Sequence, residues 1–212
     1  MKTDDLIAEL SGQLRPTPPS AGVMPLAIGI GAGAVASAVL MIAWLGIRPD
    51  LSPAMHTGAY WAKFGYTLLF AGLAFWAALR LSHPGTNARS AMRAIALPIA
   101  AMLALGVVEL ATSGESKSLL FYGHSHQVCP ERIFVIALPV FAGALWGLRK
   151  LAPTHLALTG AMAGLLAGAA GAWVYAFHCD ESGMLFVSVW YTLGIAAVGA
   201  LGAVLGRLVL RW

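Results

Sequence analysis

Charge is scarce in this chain. Of its 212 residues only 10% are Asp, Glu, Lys or Arg, against roughly 25% in a soluble domain. Hydrophobic residues reach 59% and mean hydropathy is +0.78, which places the chain in the membrane class before any motif is read. Ionisable residues are missing from the middle of every apolar run, where transporters and pumps carry them. No phosphate-binding Gly-Lys loop, nucleophile elbow or metalloprotease His-Glu motif occurs, so no enzyme is expected. Cysteine is scarce as well: Cys129 and Cys179 are the whole supply. Without a Cys-x-x-Cys the chain is not expected to shuttle disulfides as a thiol oxidoreductase. The first 22 residues hold no apolar stretch of signal-peptide type, and no cleavable leader is expected. No internal repeat stands out.

What is present in abundance is long apolar runs. A spanning helix needs about 20 such residues, and six segments qualify: 23–46, 60–81, 91–111, 132–148, 156–178 and 185–208. Turn-forming residues separate them: Arg48-Pro49-Asp50 with Pro53, then His83-Pro84-Gly85-Thr86-Asn87, then Ala152-Pro153-Thr154. The expected fold is therefore an all-α integral membrane bundle of six transmembrane helices over residues 23–212. A cytoplasmic tail of residues 1–22 precedes it. Gly29 with Gly33, Gly160 with Gly164, Gly164 with Gly168, and Gly202 with Gly206 are spaced for close helix approach in lipid. They predict tight packing within the chain, with a dimer interface as the other use. Pro98 and Pro139 fall inside spans and are expected to kink them. Met102 and Met162 are isolated and read as core packing.

The basic residues orient the bundle. Lys2, Arg15, Arg80, Arg89, Arg93, Arg149, Lys150, Arg207 and Arg211 fall on one side, whereas Arg48, Lys63, Lys117 and Arg132 fall on the other. By the positive-inside rule the first side is cytoplasmic, giving N-in and C-in. With its cations at a membrane face, the chain is not expected to contact nucleic acid directly. Lys63, one turn into the second span, is expected to snorkel to the outer interface. Glu109, near the outer end of the third span, is expected to reach the same interface and to offer Lys63 a partner.

Both cysteines fall on the outer side, Cys129 in the loop before the fourth span and Cys179 at the end of the fifth. Their surroundings read His124-Ser125-His126-Gln127-Val128-Cys129-Pro130-Glu131-Arg132 and His178-Cys179-Asp180-Glu181. Thiolates with imidazoles suit soft or borderline cations such as copper, zinc or cadmium, so His124, His126 and His178 are candidate ligands for a transient heavy-metal ion. No resident cofactor is required. The same surroundings suit an oxidisable thiol. A static disulfide between the two outer loops is the plainer alternative. A copper or zinc transport component is the rival function, but the spans lack midplane Met, His or Cys ligand sets. His56, His83 and His155 read as ordinary polar residues.

Residues 3–14 predict a short amphipathic helix. Thr3 can cap it, and Asp4 and Asp5 favour its positive end. Leu6, Ile7, Leu10 and Leu14 share one face. Such a helix is marginal alone in water, and its acidic face with Asp4, Asp5 and Glu9 disfavours anionic lipid. A protein partner in helix-in-groove fashion is expected, with docking on the protein's own cytoplasmic face as the alternative. Arg15-Pro16-Thr17-Pro18-Pro19-Ser20 reads as a semi-stiff spacer.

Taken together, Lys2-Thr3-Asp4-Asp5-Leu6-Ile7, Cys129-Pro130-Glu131-Arg132-Ile133, Leu148-Arg149, Ala152-Pro153-Thr154, His178-Cys179-Asp180-Glu181, Trp190-Tyr191-Thr192-Leu193-Gly194 and Arg211-Trp212 resemble the "negative regulator of sigma F" family of bacterial inner-membrane anti-sigma factors. The resemblance covers nearly the whole chain. It implies a regulator of transcription and stress response that holds an extracytoplasmic-function sigma factor at the membrane. It also implies release when a periplasmic heavy-metal or oxidative signal acts on Cys129 and Cys179, with Asp4 to Ile7 matching the family's N-terminal positions.

Overall fold

The computed structural model describes residues 3–12, 23–82, 88–151 and 153–211. It is all helical. Six helices are long and apolar enough to cross a membrane: α2 (Val23–Trp44), α4 (Gly58–Leu81), α5 (Ala88–Thr112), α7 (Cys129–Leu148), α8 (Leu156–Tyr175) and a last span, Met184–Val209. That last span consists of α9 (Met184–Phe186), a π turn (Val187–Tyr191) and α10 (Thr192–Val209). Short helices α3 (Leu51–Ala54) and α6 (Lys117–Tyr122) lie in two of the connections. The N-terminal α1 (Thr3–Gly12) precedes the bundle.

Local chemistry sets the boundaries. Thr57 Oγ1 accepts the Tyr60 amide at 3.3 Å and opens α4, while Ser116 Oγ accepts the Leu119 amide at 3.3 Å and opens α6. Both satisfy a helix-start donor that would otherwise lack a partner. The fourth span begins three residues earlier than its apolar run suggests, because Pro130 fits the first turn of a helix, where no intrahelical N–H is needed. Cys129 is thus the first residue of α7 and is fully buried, rather than lying in a loop ahead of it. Pro98 and Pro139 sit within continuous helices.

Helix α8 is the most buried span and packs against α10, α4, α7 and α2. Glycines make the two closest crossings. Gly29 of α2 meets Gly143 of α7 backbone to backbone, and Gly160 of α8 meets Gly202 and Gly206 of α10 in the same way. The spaced glycines therefore serve packing within the chain, where lipid provides no hydrophobic drive and contact must come from close approach. Ser37 Oγ adds an interhelical bond to the Ile136 carbonyl at 2.6 Å. Helix α5 is peripheral, touching α4 and the start of the last span.

Candidate functional site

One end of the bundle gathers the end of α2, the start of α4, the start of α7, the end of α8 and the start of the last span. The two cysteines meet there. Cys129 and Cys179 are both free and buried, and their side chains lie close enough to interact electrostatically. Each backbone is anchored locally: the Cys129 amide donates to Ser125 O at 2.9 Å, and the Cys179 amide donates to Tyr175 O at 3.0 Å.

Two cations hold the Cys179 segment. Lys63 Nζ donates to the Cys179 carbonyl at 2.9 Å and to the Glu181 carbonyl at 2.7 Å. Arg48 donates to the same Cys179 carbonyl at 3.0 Å and pairs with Asp50 at 2.6 Å. Positive groups at the carbonyl-rich end of α8 offset the negative end of its dipole. The Asp50 carboxyl is held below its ordinary range by the hydrogen bond from Arg48, whose own pKa rises for the same reason. Lys63 Nζ also lies 5.6 Å from the centre of the Tyr191 ring.

Glu181 joins the two cysteine segments. Its carboxylate accepts the His124 amide at 2.6 Å, the Ser125 amide at 2.9 Å and the Ser125 hydroxyl at 3.1 Å. The loop before Cys129 is thereby tied to the loop after Cys179. The Tyr191 side chain, at the close of the π turn, is fully buried, and its hydroxyl has no hydrogen-bond partner among the described residues. The neighbouring Cys129 thiol, the charge of Lys63, the Tyr191 side chain and the Glu181 backbone together hold the Cys179 thiol below its ordinary value of 9.0, against the effect of burial. The segment after Cys179 borders a cavity of about 220 Å³, lined among others by Arg48, Asp50, Lys63, Asp180 and Glu181.

A buried two-thiol site in a six-span bundle can be compared with known proteins. The family model described as "Negative regulator of sigma F" matches residues 10–212. The chain belongs to this family. It is 38% identical over 213 residues to a "Probable anti-sigma-F factor NrsF" of Azospira oryzae, and 37% identical over 218 residues to an "Anti-sigma-F factor NrsF" of Caulobacter vibrioides. Both alignments cover 100% of each chain. No solved structure matches the chain.

Within this family member the histidines flanking the cysteines go separate ways. Arg132 donates to His178 Nε2 at 3.3 Å, and Nδ1 lies 3.0 Å from the Gly46 carbonyl. One neutral tautomer satisfies both contacts and leaves neither nitrogen free. His126 lies 5.1 Å from the Tyr122 ring and 5.2 Å from the Trp190 ring, and His124 is exposed. Among the described residues no group of three His, Cys, Asp or Glu side chains could hold a metal ion.

Lys63 requires a correction. It does not snorkel outward but turns into the bundle and is 1% exposed, because the two carbonyls beyond α8 solvate its ammonium there. Glu109 does not pair with it; its carboxylate accepts the Leu185 amide at 2.9 Å and caps the start of the last span. Arg48, Lys63, Glu181 and Tyr191 are the site residues that sequence reasoning missed. A charge one full turn into the second span was the signal that could have found Lys63. At the N-terminus α1 ends at Gly12 and carries Asp5, Ile7 and Glu9 exposed. The side chains of Asp4, Leu6 and Leu10 lie outside the described residues, as do Lys2, Leu14, the Arg15–Ser20 spacer, His83 and Trp212.

Proposed function

We propose that this protein is an inner-membrane anti-sigma factor: it holds an extracytoplasmic-function sigma factor at its cytoplasmic face and releases it when the Cys129–Cys179 pair is modified on the periplasmic face. The observation that carries the reading is the meeting of these two thiols. They are 50 residues apart in sequence, yet they converge at the start of α7 and just beyond α8. Adjacent buried thiols support two kinds of input, oxidation to a disulfide or capture of a soft ion such as copper or cadmium between two sulfurs. Either one draws the head of α7 against the segment beyond α8. The family membership supports the sigma-factor partner, since both relatives are named for that role.

The orientation is part of the proposal. Three of the four basic residues at the cysteine end, Arg48, Lys63 and Arg132, are bonded into the site. The contrast in interfacial positive charge between the two ends is therefore steeper than the residue count alone, which supports a cytoplasmic α1. On helix α1, Ile7 is 59% exposed and is an apolar contact offered to the sigma factor.

The test is a sigma-dependent promoter followed in cells carrying Cys129→Ser or Cys179→Ser, with and without cadmium or an oxidant. Loss of induction is expected for each. Induction equal to wild type would refute the sensing role. Deleting residues 3–12 is expected to abolish co-purification of the sigma factor, and retained binding would remove α1 from the mechanism.

A further inference from the structure

Lys63 is the only fully buried charged side chain among the described residues. A buried ammonium needs both hydrogen-bond acceptors and a compensating charge. The acceptors are the Cys179 and Glu181 carbonyls, which are neutral. Among the described residues no carboxylate forms an ion pair with Lys63; Asp50, an acidic neighbour at this end, is taken by Arg48. The thiol pair beside it can supply the missing charge by giving up one of its two protons.

Two influences compete for the site of that charge. Cys129 is the first residue of α7, where a helix dipole worth about half a positive charge favours a thiolate. Cys179 follows the opposite, negative end of α8, but there the full charges of Lys63 and Arg48 converge on its own carbonyl. Asp50 offsets the charge of Arg48, so the unpaired Lys63 charge decides, one against half of one. Other ionisable groups near the pair are Asp50, Asp180 and Glu181 in the loops, His178 and Tyr175 at the end of α8, Arg132 of α7 and Tyr191 of the last span.

We propose that Lys63 is a positioning residue that makes Cys179 the reactive sulfur of the pair and leaves Cys129 as its proton-bearing partner. Lys63 does this by fixing the backbone that carries Cys179 and by setting an uncancelled positive charge beside it. With Lys63 removed, the dipole of α7 is the stronger remaining influence and the order of reactivity inverts.

The inference gives the regulatory reading its chemistry, yet it is tested on the thiols themselves. Full-length reduced protein in nanodiscs is treated with limiting iodoacetamide across a pH series, and each cysteine's labelling is read by peptide mass spectrometry. Wild type is expected to label Cys179 first, by about ten-fold or more at neutral pH, one pKa unit being a factor of ten in thiolate. Lys63→Arg is expected to keep that order, and Lys63→Met to bring Cys129 level or ahead and to move the Cys179 profile to higher pH. Cys129 labelled first in the wild type overturns the proposal, whether or not Lys63→Met can be purified. An unchanged order in Lys63→Met overturns it too. If the labelling order follows Lys63 while the Cys→Ser strains still respond to metal and oxidant, the sensing role fails and this inference stands.

Discussion

Gly160 is the position where the smallest substitution should have the largest structural consequence. A Cβ built there runs into the Gly202 carbonyl oxygen and lies 2.7 Å from the Gly206 Cα and 3.1 Å from its amide nitrogen. All three are backbone atoms, so no rotamer change relieves the overlap. Helix α10 must move off α8 by about 1 Å to restore ordinary contact, which also loosens Gly164 against Val198 and Gly199. Overpacking of this kind costs about 1–3 kcal/mol, and the helix propensity gained from Gly to Ala returns about 0.5–1 kcal/mol. Gly160→Ala should therefore be less stable than wild type by about 1–2 kcal/mol. Gly72, in the exposed face of α4, has nothing within 4 Å of an added Cβ. Gly72→Ala carries the propensity term alone and should be neutral or slightly stabilising. Unfolding of both variants by sodium dodecyl sulfate in mixed micelles, followed by tryptophan fluorescence, measures the difference. Equal stability of Gly160→Ala and Gly72→Ala would refute the assignment of the α8–α10 crossing.

The other predictions concern single bonds. Ser37→Ala removes the bond to Ile136 O, and the same unfolding titration should show a loss of only about 0.6 kcal/mol, the usual worth of an interhelical bond in lipid. Glu181→Gln removes the charge from a carboxylate that accepts three hydrogen bonds; hydrogen exchange at the His124 and Ser125 amides should rise, corresponding to about 1.5–3 kcal/mol per charged bond weakened. Glu109→Ala leaves the Leu185 amide without its cap and should fray the start of the last span, seen as faster exchange confined to residues 184–187. The Cys179 thiol titrates below its ordinary value, so the unfolded chain binds that proton more tightly than the folded one. Its contribution to stability is fully present above pH 9.0 and is lost as pH falls through the folded value. Thermal unfolding of reduced wild type should thus lose stability toward acid pH more steeply than Cys179→Ser.

The six spans were legible because the bilayer imposes a length that a run of about 20 apolar residues meets and little else does. Charge asymmetry and an even span count then brought Cys129 and Cys179 to the same end, and the family resemblance singled them out as a pair. What holds them was not legible. Lys63 reaches carbonyls 116 and 118 residues away, and Arg48 reaches one 131 residues away. A backbone carbonyl leaves no mark on residue type, so these partners cannot be read from side-chain chemistry. Snorkelling was the natural expectation for a lysine one turn from a helix end, since it avoids desolvation unless the fold supplies acceptors inside. The histidines misled for a related reason. Their spacing to the cysteines suggested ligands, but a neighbouring residue on a helix end or loop faces another direction, and the fold gave His178 to Arg132 and Gly46, and His126 to an aromatic cluster.

The proposed function requires a change at the thiols to reach the far end, and the packing of α8 offers a route. The helix is 20 residues long, about 30 Å at 1.5 Å per residue, and it spans the bundle from His155 to the turn that carries Cys179. At Gly160, Gly164 and Gly168 it meets α10 through backbone atoms, and at Gly171 it meets Ala137 of α7 in the same way. Side chains can absorb a shift by changing rotamer, but backbone contacts cannot. A displacement at the Cys129–Cys179 junction is therefore passed to α7 and α10 as movement of whole helices, whose far ends are already joined where Arg149 donates to the Val209 carbonyl at 2.9 Å. That bond lies at the end of the bundle where the sigma factor is proposed to sit, so Arg149→Ala should alter the coupling without touching the thiols. In the promoter assay its expected signature is a changed amplitude of induction, with the order of cysteine labelling unchanged. A variant that shifts the labelling order instead would show that the two ends are not linked through α7, α8 and α10.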